Sequence, residues 1–205
     1  MSDILGLIQQ SLTPSTISQL SRQIGATPAA TSTAIQSALP ALLGGLARNS
    51  QSPDGATALL GALGRDHDGG ILDDLAGFLG SGQAANVGGG ILGHVFGGQQ
   101  TQVADAVGKS SGLGGAQIAQ LLALLAPLVM GALGKLQRTQ GLDQGGLADV
   151  LGGAFQSSQK QAGGGIGDLL GGLLDQNKDG SVMDDLMKQG GGILGSLLGG
   201  GPKRS

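Results

Sequence analysis

The stretch QIAQLLALLAPLVMGALGK, residues 117–135, is the most apolar run in the chain. It carries no charged residue before Lys135, and the sequence around it consists mainly of glycine, alanine, glutamine and short polar residues. A helix that is apolar on all sides is normally buried in a core or in a membrane. The stretch therefore predicts a central buried helix against which flanking amphipathic helices pack.

The length of this run favours a protein core over a membrane. Leu121 to Leu133 makes about four helical turns, whereas a spanning helix needs about 20 apolar residues. Membrane association stays open as an alternative. The N-terminal residues MSDILGLIQQSLTPS have neither the basic segment nor the long apolar segment of a Sec signal peptide. The cytoplasm is the default expectation, and export without a leader remains possible in principle.

The composition limits how a core can be built. The 205 residues include 43 glycines and three phenylalanines, with no tryptophan, tyrosine or cysteine. Aliphatic side chains must supply the burial, at roughly 25 cal/mol per Å², while glycine raises the entropy lost on folding. We expect modest stability or help from self-association. One or two domains are compatible with this length.

The net charge, the few aromatic rings and the absence of cysteine argue against several classes of function. A net charge of -3 and the scarcity of aromatic rings argue against nucleic-acid binding. The absence of cysteine excludes disulfides and thiolate zinc sites. All fourteen acidic residues are aspartate, which prefers helix caps and turns to helix interiors.

Periodicity and capping residues predict a series of helices. The predicted segments are 4–10, 15–25, 28–48 and 56–63, with a loop at 49–55. Pro14 separates the first two, and Ser15 or Thr16 can cap the second. Thr27-Pro28 is typical of a helix start, and Pro40 lies inside the third helix, where it should introduce a kink.

The same plan recurs along the chain. Aligning Pro40 with Pro127 sets ALPALLGGLAR (38–48) within LLAPLVMGALGK (124–135), and Gly25 then meets Gly112. DHDGGILDDL (66–75) recurs as NKDGSVMDDL (177–186), and GGGILGHVFGG (88–98) as GGGILGSLLGG (190–200). We predict an all-α fold with two related helical units, 1–95 and 96–205, packed together. The glycine-rich segments are either short helices or linkers.

Three stretches in the middle of the chain together resemble a known family. GGGILGHVFGG, the following residues 99–113 and QLLALLAPLVMGALGK resemble the YidB-like family of bacterial proteins, known as domain of unknown function 937. The resemblance implies a helical fold and a bacterial origin. It implies no reaction, and no catalytic residue can be carried over from it.

The segment DQNKDGS, residues 175–181, matches the opening of a calcium-binding loop. Such loops place oxygen ligands at alternate positions and a glycine at the sharp turn. Position 12 is Leu186, so Asp185 would have to close a shortened loop. The predicted metal ligands are Asp175, Asn177, Asp179, Ser181 and Asp185.

The first copy of this turn is a weaker candidate for a metal site. Gly64 replaces the first aspartate, which leaves Asp66, Asp68 and either Asp73 or Asp74 as ligands. Helix capping explains both acidic turns better than calcium binding does.

Catalytic patterns are nearly absent. His67 and His94 are the two histidines, and neither a nucleophile elbow nor a phosphate-binding loop accompanies them. Asp73 and Asp74 are adjacent, so on a helix they would point in different directions. We expect a protein without enzymatic activity.

Three functions are compatible with these patterns. The first is a structural or interaction protein that binds itself, as a homo-oligomer, or another protein through small-residue helix faces. The second is a calcium-binding module, and the third is a glycine-rich helical protein that associates with membranes.

Overall fold

Every regular element in the part of the chain that the structure describes is helical. A computed structural model describes residues 3–66 and 69–162, and no strand occurs within them. The all-α prediction is confirmed. The helices are α1 (Ile4–Ser11), α2 (Pro14–Ile24), α3 (Pro28–Ser50), α4 (Pro53–Arg65), α5 (Leu75–Gly80), α6 (Gln83–Phe96), α7 (Gln100–Ser111), α8 (Gly115–Gln140) and α9 (Gln144–Ala162). Short 3-10 turns span Gly70–Leu72 and Gly97–Gln99.

The helix boundaries follow local capping signals. Thr27 caps α3 and Pro28 is its first residue, as predicted. The predicted cap of α2 was wrong: Thr13 accepts a hydrogen bond from the Thr16 N–H at 3.2 Å. Pro14 then begins the helix, because a first-turn residue needs no N–H donor. α3 and α4 each run beyond their predicted ends.

The two helices that carry an internal proline, α3 and α8, lie at the centre. Every residue of α8 from Leu121 to Gly134 is buried, and α3 is buried from Ser37 to Ala47. The two helices contact each other, α9 packs on α3, and α6 packs on α8. This arrangement confirms that the apolar stretch 117–135 forms a buried helix.

The length of α8 does not distinguish a core helix from a membrane-spanning one, contrary to the expectation from the sequence. α8 has 26 residues, and it is the one helix in the described part that is long and apolar enough to cross a membrane. However, 78% of its most apolar window is buried inside the protein. Burial, rather than length, identifies α8 as a core helix.

Glycines on the central helices receive side chains from their neighbours. A Cβ at Gly44 would lie 2.8 Å from the Phe155 ring, and one at Gly45 would lie 2.6 Å from the Phe96 ring. On α8, a Cβ at Gly131 would overlap the side chain of Ile71. Any side chain at these positions would displace the neighbouring groups, so the few large side chains depend on the glycines opposite them.

α6 approaches α8 closely at a backbone carbonyl that proline leaves without its helical donor. Pro127 has no N–H, so the carbonyl of Ala123, one turn earlier in α8, receives no helical bond from that position. Gly88 of α6 lies directly against this carbonyl, and a Cβ there would overlap the carbonyl group itself. The pairing of α6 with α8 therefore requires glycine at position 88.

The helix boundaries keep the register of the predicted repeat. α3 begins at Pro28 and α8 at Gly115, and these starts are separated by the same distance in sequence as Pro40 and Pro127. Gly25 and Gly112 both end the preceding helix in a left-handed conformation. Duplication and the division into two units stay predictions, and the copies at 177–186 and 190–200 lie outside the described residues.

Substitution of Gly88 by alanine should destabilise the protein by about 1–3 kcal/mol, because the new methyl group has no space beside Ala123. The matched control is Gly89→Ala. Gly89 is exposed and has no neighbouring atom within 4 Å of a Cβ, so alanine there should stabilise α6 by about 0.5–1 kcal/mol. Urea unfolding followed by circular dichroism measures both. Equal effects of the two variants would contradict the proposed contact.

Candidate functional site

The predicted calcium ligands lie outside the described residues. Asp175, Asn177, Asp179, Ser181 and Asp185 all follow Ala162, the last residue described. The calcium site therefore stays a prediction from the sequence.

In the described part of the first acidic turn, Asp74 caps a helix with its side chain. Asp74 begins α5 and accepts a hydrogen bond from the Gly77 N–H at 2.9 Å. Asp66 is the residue that follows α4, and Asp73 is the residue that follows the 3-10 turn. His67 and Asp68 lie outside the described residues. Within residues 3–66 and 69–162, no three potential metal ligands of the His, Cys, Asp or Glu type lie together.

The apolar residues of this turn anchor it to the core. Ile71 and Leu72 are half-buried, whereas Asp73 and Asp74 are exposed. Ile71 lies against Gly131 of α8. This is the arrangement expected of a capped turn, with its apolar side chains inside and its carboxylates in water.

The His94 side chain contacts a backbone carbonyl of its own helix. Its Nδ1 lies 2.9 Å from the carbonyl oxygen of Gly90, one turn earlier in α6, and the side chain is exposed. Within the described residues, no serine or aspartate side chain bonds to it. The structure therefore does not bring a nucleophile and a base together at this histidine.

Glutamine side chains connect helix ends. The Gln117 amide nitrogen donates to the carbonyls of Ile24 and Gly25 at 3.0 and 3.2 Å, and its oxygen accepts from the Gly114 N–H. Gln23 donates to Leu79 at 2.7 Å. These bonds satisfy carbonyls and amides that helix ends leave without partners.

One exposed helix face consists of small residues. On α6, exposed Asn86, Gly89, Gly90 and Gly93 lie opposite the buried side that contacts α8, and we call them the α6 outer face. Val87 borders this face and is 37% exposed. Within the described residues, it is the one large apolar side chain that is clearly exposed. α6 contains no Asp, Glu, Lys or Arg.

A cavity of about 340 Å³ lies beside Pro40, and we call it the Pro40 cavity. Residues of α1, α2, α3 and α9, together with Leu12 between α1 and α2, line it. Sequence reasoning identified Pro40 as a helix interruption but not the cavity. The available signal was the missing N–H of Pro40, which leaves a carbonyl free on the same face of the helix.

The comparisons give the family context. A sequence model for a family described as bacterial protein of unknown function (DUF937) matches residues 6–136. The match confirms the resemblance drawn from the sequence motifs. Neither the curated proteins nor the solved structures yielded a match.

Replacement of Asp74 by alanine should lower the free energy of unfolding by about 1 kcal/mol, because α5 loses its N-cap. Asp73→Ala is the matched control and should change stability by less than about 0.5 kcal/mol, since Asp73 is exposed and does not cap a helix. Urea unfolding in the presence of a chelator compares the two. A larger effect at Asp73 would show that capping is not the main contribution of this turn.

Proposed function

Because the chain belongs to the family of bacterial proteins known as domain of unknown function 937, whose description names no activity, we propose a function from its own surface. The protein is a non-catalytic interaction protein that self-associates through the α6 outer face. The observation that carries this proposal is the coexistence, on one exposed face, of small residues and the exposed side chain of Val87.

The inner side of α6 demonstrates what its glycines permit. At Gly88 the helix approaches the backbone of α8 so closely that no Cβ would fit. The outer face offers the same kind of surface to a second helix, because Gly89 and Gly90 have no neighbouring atom within 4 Å of a Cβ position. Small residues spaced three to four apart let two helix backbones come close together.

Charge also favours pairing of identical copies. In a symmetric contact, each residue near the axis faces its own copy, so a charged face would repel itself. The α6 segment QAANVGGGILGHVF carries no Asp, Lys or Arg. Two α6 outer faces can therefore meet without like-charge repulsion, and Val87 of each copy would lose contact with water.

A bulky side chain at the centre of this face should abolish self-association. Gly90→Leu would hold the two helices apart, while Gly153→Leu, on the exposed side of α9 and with an equally open surface, is the matched control. Size-exclusion chromatography with light scattering should show an oligomer for the native protein and for Gly153→Leu, and a monomer for Gly90→Leu. Circular dichroism must show that both variants are folded.

Two results would refute the proposal. One is a monomeric native protein at high concentration, and the other is an unchanged oligomer in the Gly90→Leu protein. The same measurement with calcium and then with chelator tests whether an ion controls assembly.

A calcium-binding role is a second proposal, and the oxygen pattern at residues 175–181 supports it. Saturating calcium would stabilise a folded loop by mass action, by about 2.7 kcal/mol at a hundredfold excess over Kd. The melting temperature should then rise by several degrees. Asp179→Ala should remove this shift, and Asp149→Ala in α9 should retain it. A shift of the same size in both variants refutes the site.

Membrane association is the least supported of the three roles. The apolar window of α8 is mostly buried, so insertion of α8 would require the core to open. Failure to co-sediment with vesicles of either neutral or anionic lipid would dispose of this alternative.

A further inference from the structure

The Pro40 cavity is lined by uncharged residues of two kinds. Its apolar lining consists of Leu5, Leu12, Ile17, Ile35, Leu39 and Pro40. Its polar lining consists of Gln9, Ser32, Gln36, Ser158 and Gln161. Ligand sites commonly combine a predominantly apolar wall with a few polar groups and have volumes of roughly 300–1,000 Å³. At about 340 Å³, this cavity is large enough for a small molecule.

One of the polar lining residues, Gln36, has a backbone carbonyl that lacks its usual helical donor. Pro40 has no N–H, so the carbonyl of Gln36, one turn earlier, receives no bond from that position. Both residues line the cavity. A carbonyl without an intrahelical donor can accept a hydrogen bond from a ligand that carries an O–H or N–H group.

The equivalent carbonyl in α8 has a different environment. Pro127 frees the carbonyl of Ala123, but Gly88 of α6 covers it, leaving no room even for a methyl group. The same chemistry therefore occurs twice in the fold. Beside Pro127 a neighbouring helix covers the carbonyl. Beside Pro40 the residue that carries the carbonyl lines a cavity.

Two serines extend the polar side of the cavity. Ser158 is only 5% exposed, and its hydroxyl donates to the Phe155 carbonyl at 2.7 Å, so its oxygen can still accept a bond. Ser32 is half-buried, and its hydroxyl has no hydrogen-bond partner within the described part of the chain. Gln9 donates to Gln161 at 3.1 Å across the exposed side of the cavity.

We propose that the Pro40 cavity binds an uncharged amphiphile, with an apolar chain against α1, α2 and α3 and a hydroxyl or amide head that donates to the Gln36 carbonyl. A charged head is disfavoured because no lining residue carries an opposite charge. The volume corresponds to on the order of ten non-hydrogen atoms, at roughly 30 Å³ each. This inference is independent of self-association.

Two isomeric ligands and two matched proline variants test the proposal. Octanol has a donor, whereas heptyl methyl ether has none. Pro40→Ala restores an N–H for the Gln36 carbonyl and should weaken octanol binding about fivefold. Pro127→Ala makes the same change at a residue that does not line the cavity, and this variant should bind octanol like the native protein. The ether should bind equally to all three proteins.

Methyl NMR titrations measure these affinities and locate the ligand, because Leu5, Ile17 and Ile35 should shift together. Ser32→Leu would fill the cavity and should abolish binding of both ligands. Octanoate should bind more weakly than octanol. The proposal is overturned if octanol does not bind, or if Pro40→Ala changes the affinities for octanol and for the ether alike. It is also overturned if Pro127→Ala weakens octanol binding as much as Pro40→Ala does.

The amphiphile can come from solution or from a lipid bilayer, and vesicles distinguish these sources. Co-sedimentation with neutral phosphatidylcholine vesicles that decreases in Pro40→Ala and in Ser32→Leu would identify a lipid as the source. Binding of octanol without co-sedimentation would identify a free amphiphile. Co-sedimentation that neither variant changes, together with no octanol binding, would refute the cavity as a ligand site.

Discussion

The contact of Gly88 with the Ala123 carbonyl is the constraint on which the packing of this protein depends. A chain with three phenylalanines cannot fill wide spaces between helices, so its helices must approach closely. Glycine permits that approach because it has no Cβ. The same solution recurs where Phe155 and Phe96 lie over Gly44 and Gly45. The abundance of glycine, costly in chain entropy, is in part a packing device in this fold.

The two internal prolines show how one chemical change has different consequences in different surroundings. Each removes an N–H from a central helix and frees a carbonyl one turn earlier. Beside Pro127 another helix closes the gap, which contributes to core packing. Beside Pro40 the neighbouring helices leave a cavity, which creates a place where a ligand can bond. The close packing beside Pro127 and the proposed ligand binding beside Pro40 therefore have the same cause, a helical N–H that proline lacks.

The polar residues divide into a structural group and a surface group. Asp74, Thr13 and Gln117 all bond to backbone groups at helix ends. The α6 outer face, by contrast, has Asn86 as its one polar side chain. A surface of this kind suits contact with another protein surface better than catalysis.

The sequence by itself determined the local features of this protein, because they depend on neighbours in the chain. Thr27-Pro28 marked a helix start, the apolar run 117–135 marked the buried helix, and its motifs indicated the family. The extent of α8 and the cap at Thr13 were harder to predict, because several residues could have ended or capped those helices. Only the tertiary structure decided which carbonyl Gly88 covers and that a cavity remains beside Pro40, since both depend on helices that are distant in sequence.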